Sequence, residues 1–226
     1  MRFILPFVFF VLLLIGATIH AQKSIRFHPM FNEKPIEIPY QQPNVDLTIS
    51  KCQWYITQLR VFDLTSSRWV ELVPCQLVTA QDSMTRLILM DNRIRPSRLS
   101  FLLGTDSLTN VSGIFEGPLD PINGMYWAWN SGYINFKLEG TDQLISSSDK
   151  RFEYHIGGYL PHQKTTHAIE LDLAMNSEQI QIDIGFDLAT ILQNWEVEKH
   201  PTIMLPGPNA VEFSRQLPKM FYVLSQ

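Results

Sequence analysis

Two tryptophans and a scatter of histidines are the residues of this chain with chemistry to offer. Trp127 and Trp129 lie in residues 124–140, which read Gly-Met-Tyr-Trp-Ala-Trp-Asn-Ser-Gly-Tyr-Ile-Asn-Phe-Lys-Leu-Glu-Gly. Spaced two apart, their rings share one face where the backbone is extended. Such a pair can stack on a ligand, or fill the space between two sheets as core aromatics. Of the six histidines, His20 falls in a leader segment, leaving His28, His155, His162, His167 and His200. His28 precedes Pro29 at the end of a strand-like stretch, and His155 lies just before Gly157 and Gly158. Imidazole is a common metal ligand. His162 and His200 read as exposed loop residues, and His167 begins a strand.

Other chemistries find no footing. The chain has no Gly-x-Ser-x-Gly elbow, no Gly-x-Gly-x-x-Gly turn, no phosphate-binding lysine loop and no His-Glu-x-x-His pair. The acidic residues number 22, which gives no basis for picking two as a glycosidase pair. The expectation is a binding protein and not an enzyme. A net charge of −4 without a basic cluster argues against nucleic acid and against an anionic membrane surface.

The N-terminus sets the compartment. Arg2 supplies a basic start, residues 4–15 are apolar apart from Pro6, and residues 16–21 end in Ala21. This is the pattern of a secretory signal peptide cleaved near Ala21. Its apolar run is far short of the roughly twenty residues that span a bilayer. Residues 22–226 are then expected as one exported domain, periplasmic or secreted and not membrane-embedded. Cys52 and Cys75 both fall in this part. An oxidising compartment favours pairing them, worth about 3 kcal/mol. A hairpin through residues 64–67 would instead set Cys52 near Thr79 and leave two buried thiols.

The elements that must position these residues are mostly strands. Period-two alternation or pleat-favouring composition marks residues 24–29, 45–61, 69–78, 86–90, 98–103, 151–156, 166–173 and 179–186. After Gly132, Ile134, Phe136 and Leu138 alternate with Tyr133, Asn135, Lys137 and Glu139, the mark of a strand with one apolar face. Helical spacing is confined to residues 187–195, behind the cap candidate Asp187, and to residues 209–220, where Pro218 ends or kinks the run. The expected class is all-β, an antiparallel β-sandwich with one or two short helices near the C-terminus, with jelly roll and barrel open. Residues 104–124 form a long loop without apolar periodicity, feeding the tryptophan segment directly. Loops of this length are usually functional or disordered, and delivery into the tryptophan segment favours function. Asn110-Val111-Ser112 within it matches the glycosylation sequon.

Taken together, these segments resemble the MbnP-like family of exported copper-binding proteins. Residues 125–140 carry the most specific part of the resemblance, with its Trp-x-Trp-x-Ser-Gly-Tyr block. Residues 25–36, 102–107 with 119–121, and 152–159 resemble the family's opening strand, central loop and histidine-bearing strand. The resemblance implies a copper cofactor, with His155 as first ligand and His28 as a second. It also implies that Trp127 or Trp129 is oxidised to kynurenine by a dihaem peroxidase-like partner. Intact indole is only a hydrogen-bond donor, whereas the opened ring offers an aromatic amine and a ketone. No histidine adjoins the tryptophans in sequence, a departure from at least one copper-binding relative. The alternative is a non-metal binding module whose co-facing tryptophans meet a small molecule, a glycan or a partner protein.

Overall fold

Apolar alternation in two distant stretches builds the core. Ile25 and Phe27 point one way from the first strand, and Cys52, Trp54 and Ile56 point back at them from another. The computed structural model describes residues 22–129, 132–173 and 180–225; the leader and its cleavage point near Ala21 lie outside these. The first strands are β1 (Lys23–Phe31), β2 (Lys34–Pro35), β3 (Tyr40–Gln41), β4 (Leu47–Asp63), β5 (Arg68–Thr79), β6 (Leu87–Met90) and β7 (Pro96–Leu103). Helix α1 (Ser107–Val111) precedes β8 (Tyr126–Trp127), β9 (Gly132–Asp142), β10 (Arg151–Gly157), β11 (His167–Asp172) and β12 (Gln181–Asp187). Then come α2 (Ala189–Leu192), β13 (Thr202–Ile203), α3 (Pro208–Ser214) and β14 (Phe221–Val223).

The strands form two sheets. A 5-stranded sheet runs β14-β12-β1-β2, with β6 on β1; a 9-stranded sheet runs β11-β7-β4-β9-β10-β13, with β3 and β5 on β4 and β8 on β9. The long strand β4 is its spine, pairing β9 along its first half and β7 along its second. Between the sheets Phe27 meets Trp54 at 6.5 Å, Phe101 at 6.0 Å and Phe221 at 6.4 Å, centroid to centroid and edge-on. Edge-on contact is the arrangement aromatic quadrupoles favour. The all-β sandwich expected from the sequence is what forms. The sheets are mixed, because β1 pairs β12 and β10 pairs β13 in parallel. Each of these pairs joins segments distant in the chain, so no hairpin forces them antiparallel.

Both expected helical regions near the C-terminus contain short helices. Asp187 accepts from the Ala189 amide at 2.9 Å, one residue ahead of Leu188, which is the N-cap of α2. The same carboxylate accepts from the amides of Asn32 and Glu33, which ties the β1–β2 turn to the helix start. After α3, a 3₁₀ turn at Leu217–Met220 carries Pro218. Among the described residues, no helix is long and apolar enough to cross a membrane.

The cysteines are free, which corrects the pairing that the compartment favoured. The β4–β5 register sets Gln53 opposite Thr79 and Thr57 opposite Cys75. Cys52 therefore faces the core between the sheets, while Cys75 packs on the outer face against Tyr55 and its neighbours.

Candidate functional site on the covered face of the large sheet

Strand β9 has two buried faces. Phe136 and Leu138 enter the core between the sheets. On the opposite side, where alternation led us to expect solvent, Asn135 is 1% exposed and Lys137 6%. The cover is the long loop of residues 104–124. A buried polar group needs a partner, and each side chain on this face has one.

Asn135 Oδ1 accepts from the Thr105 amide at 2.9 Å, and its amide group donates to Thr165 Oγ1 at 2.9 Å. Gly104 makes this approach possible. Its φ is +101°, and a Cβ there would lie 2.6 Å from the Asn135 side chain. Asp106 starts α1 by accepting from the Thr109 amide at 2.7 Å. Within α1, the buried Asn110 donates to Thr105 Oγ1 and to the Asp106 carbonyl, and accepts from the Tyr133 amide at 2.9 Å. The nitrogen that glycosylation would require is therefore committed to bonds within the loop, while Oδ1 ties the loop to β9. At the loop's far end, Lys137 Nζ donates to the Gly124 carbonyl.

Further along the face a charged row follows. In the ladder Lys137 lies between His155 and Gln53, and Glu139 between Glu153 and Lys51. His155 Nε2 and a Glu139 carboxylate oxygen are 2.8 Å apart, and Lys51 stands 3.7 Å from Glu139. Burial holds His155 below the ordinary imidazole range, outweighing the opposing pull of Glu139. Burial would raise Glu139, but the His155 hydrogen bond and the Lys51 charge together bring it below the usual carboxylate range. These two shifts agree on who carries charge. We take a neutral imidazole donating Nε2–H to an ionised Glu139, because Lys137 and Lys51 both favour the carboxylate. Lys137 is itself lowered, chiefly by burial. In that tautomer Nδ1 keeps the lone pair.

The two tryptophans split in role. β8 ends at Trp127, which pairs with Gly132 across a tight hairpin, and Trp129 lies in its turn. The single extended strand expected through both residues is thus replaced by a strand end and a turn, closed by Tyr126 opposite Tyr133. Trp127 is 5% exposed, in a second small core with Tyr55, Leu77, Met125, Tyr133 and Ile134. Trp129 is 63% exposed, yet its ring centroid is 5.7 Å from that of Trp127, the planes tilted by 43°. Gly157 admits the Trp127 ring, since a Cβ there would stand 2.7 Å from it. His155 lies two residues before Gly157, a step of about 7 Å along a strand, with an irregularity in the β9–β10 register between Ile156 and Gly157. The structure brings Trp127, His155 and Glu139 to one covered face, although sequence separates the first two by 28 positions.

His28 is elsewhere. It points outward from β1 in the small sheet, with Nε2 2.7 Å from Asp183. The core lies between it and His155, so the two cannot share an ion. His167 is bonded to Ser214 at 3.0 Å, and the His200 ring lies 5.6 Å from that of Trp195, tilted by 45°. Among the described residues, no group of three or more His, Cys, Asp or Glu is placed to hold a metal.

Comparison with known proteins decides the family. The MbnP family profile matches residues 20–205. The chain belongs to the MbnP family. MbnP from Methylosinus trichosporium, a solved structure, is similar with a TM-score of 0.57 and 11% identity, over 78% of each chain. At that identity the likeness is one of fold. No curated protein matches in sequence. The MbnP match takes in the tryptophan hairpin, the covering loop and the His155 strand, and ends before α3.

Sequence reasoning missed Glu139, Lys137, Asn135 and Asn110 as parts of this site. The one signal for them was the polar half of the β9 alternation, which looks the same whether water or a loop covers it.

Proposed function

We propose that this MbnP family member is an exported copper-binding protein for acquisition, storage or delivery of the metal, acting by binding and not by catalysis. The observation that carries the reading is the His155–Glu139 pair on the face where Trp127 is buried. Histidines that ligate metals characteristically donate their other ring N–H to a carboxylate, which fixes tautomer and orientation. Glu139 stands in that relation to His155 at 2.8 Å. Copper tops the affinity order for nitrogen and oxygen donors, so an imidazole lone pair suits it.

The fit is incomplete with both indoles intact. His155 needs further donors, Lys137 sets a positive charge beside it, and His28 is on the other sheet. Opening the Trp127 indole to kynurenine supplies an aromatic amine and a ketone on the face that His155 shares. A dihaem peroxidase-like enzyme is the proposed agent. In this reading His155 and the altered Trp127 hold copper, Glu139 orients His155, and the loop of residues 104–124 excludes water.

Protein isolated from its native source under copper limitation tests the reading, by metal analysis and intact mass on one sample. Bound copper, a kynurenine mass change at residue 127, and loss of copper in His155→Ala are expected. Metal-free protein with unmodified indoles would overturn it. The alternative of two co-facing indoles presented to a ligand is weakened by the burial of Trp127.

A further inference from the structure

A buried residue that must be oxidised by a separate protein needs a way for electrons to leave. Trp127 has none of its own, being 5% exposed and enclosed by the small outer core. Trp129 provides one. It is 63% exposed at the tip of the same hairpin, with its ring centroid 5.7 Å from that of Trp127. Electron tunnelling falls off exponentially with distance, so two adjacent rings carry a charge that direct transfer through the hairpin would not. We propose that Trp129 is an electron relay through which Trp127 is oxidised from the protein surface. This deepens the proposed function and rests on its modified tryptophan.

The surroundings favour Trp127 as the place where oxidation ends. The buried phenols that compete are Tyr133 and Tyr55, its neighbours in the small core, with Tyr126 and Cys75 packed at its margin. A tyrosine is readily oxidised only when its phenol can pass its proton to a base. Tyr133 O–H donates to the Gly113 carbonyl, which cannot take a proton, and Tyr55 O–H is buried without a partner among the described residues. Burial raises both phenols above their ordinary range. Charge on the indole pair therefore has no easier sink in these two buried phenols. Beside Trp127 lies a cavity of about 60 Å³, bounded also by Gly132, Tyr133, Gly158, Tyr159 and Pro206. A water needs only about 15 Å³ of such space.

The reaction balances with a peroxide-charged haem enzyme as oxidant. Four electrons leave Trp127 one at a time through Trp129, and four protons go to solvent. Two waters enter, the C2–C3 bond of the indole breaks, and N-formylkynurenine forms. Hydrolysis then releases formate and leaves kynurenine. The four electrons and four protons reduce two molecules of hydrogen peroxide to four waters at the haem enzyme. Trp129 ends each transfer unchanged.

The test uses the full chain and photogenerated tris(bipyridine)ruthenium(III), a one-electron oxidant that accepts electrons at the surface and requires no partner enzyme. Oxidation is mapped by peptide mass spectrometry at residue 127 in wild type, Trp129→Phe and Trp129→Tyr. Because Trp129 is exposed, circular dichroism and melting should be unchanged in both variants. Trp129→Phe should lower oxidation of Trp127 by roughly an order of magnitude, and Trp129→Tyr should restore part of it. Equal oxidation of Trp127 in wild type and Trp129→Phe overturns the relay, as does an unreactive Trp127 in wild type. Absence of kynurenine in native protein would overturn the proposed function while leaving this outcome readable.

Discussion

The two faces of β9 make different kinds of interior. Inward, Phe136 and Leu138 join Trp54, Tyr154 and Phe213 in a core held by apolar burial, which is non-directional. Outward, Asn135 and Lys137 are covered by a loop, Glu139 is half-buried beside them, and all three are held by individually placed hydrogen bonds. The first interior tolerates any apolar side chain of suitable volume. The second does not, because each unmatched polar group there is costly. Stability concentrates in one face and chemistry in the other.

Four experiments would sharpen or break this division. Phe136→Ala should have the largest effect, about 3–5 kcal/mol of global stability in chemical denaturation. If the loss is no larger than that of the outer-face variants, the two interiors are not distinct. Gly157→Ala pushes a methyl group toward the Trp127 ring and the Tyr133 carbonyl. It should cost about 1–3 kcal/mol and shift the tryptophan fluorescence to longer wavelength. Asn110→Ala removes the bonds to Thr105, Asp106 and Tyr133, with an expected cost of about 1–3 kcal/mol. Amide exchange should speed up at Tyr133 and across residues 104–124, while Trp54 and Phe136 amides stay protected.

The smallest effect is that of pH. His155 and Glu139 both titrate below their ordinary values of 6.5 and 4.5 in the folded chain. The unfolded chain therefore binds these protons more readily, and stability falls as pH falls. The loss begins near the ordinary imidazole value and continues through the carboxylate range. Thermal melts should show His155→Gln flattening the upper part of that fall, by less than about 1 kcal/mol. A variant that follows the wild-type curve would mean that the pair does not govern it.

Much of the fold could be read from the chain, for a physical reason visible in β1 and β4. Ile25 and Phe27, or Cys52, Trp54 and Ile56, face one way because a strand has a period of two, and apolar side chains there require another sheet. Asp187 likewise announced the start of α2, one residue ahead of its N-cap Leu188. The site was legible only in part. Trp127 and His155 stood out by type and motif, but the grouping of His28 with His155 does not survive their placement on opposite sheets. Asn110 looked like a surface sequon because a local pattern carries no information about which loop folds onto which strand. The Trp-Ala-Trp spacing suggested one extended strand, whereas a hairpin turn follows Trp127.

Sequence by itself determined the sandwich class, the short helices near the C-terminus and the family, since these depend on local periodicity and motif. Tertiary structure alone decided that the polar side of β9 is an interior, that Glu139 holds His155, and that one tryptophan is buried while its neighbour is open to water. Those facts depend on contacts between segments far apart in the chain, and a period of two is the same whichever partner covers it.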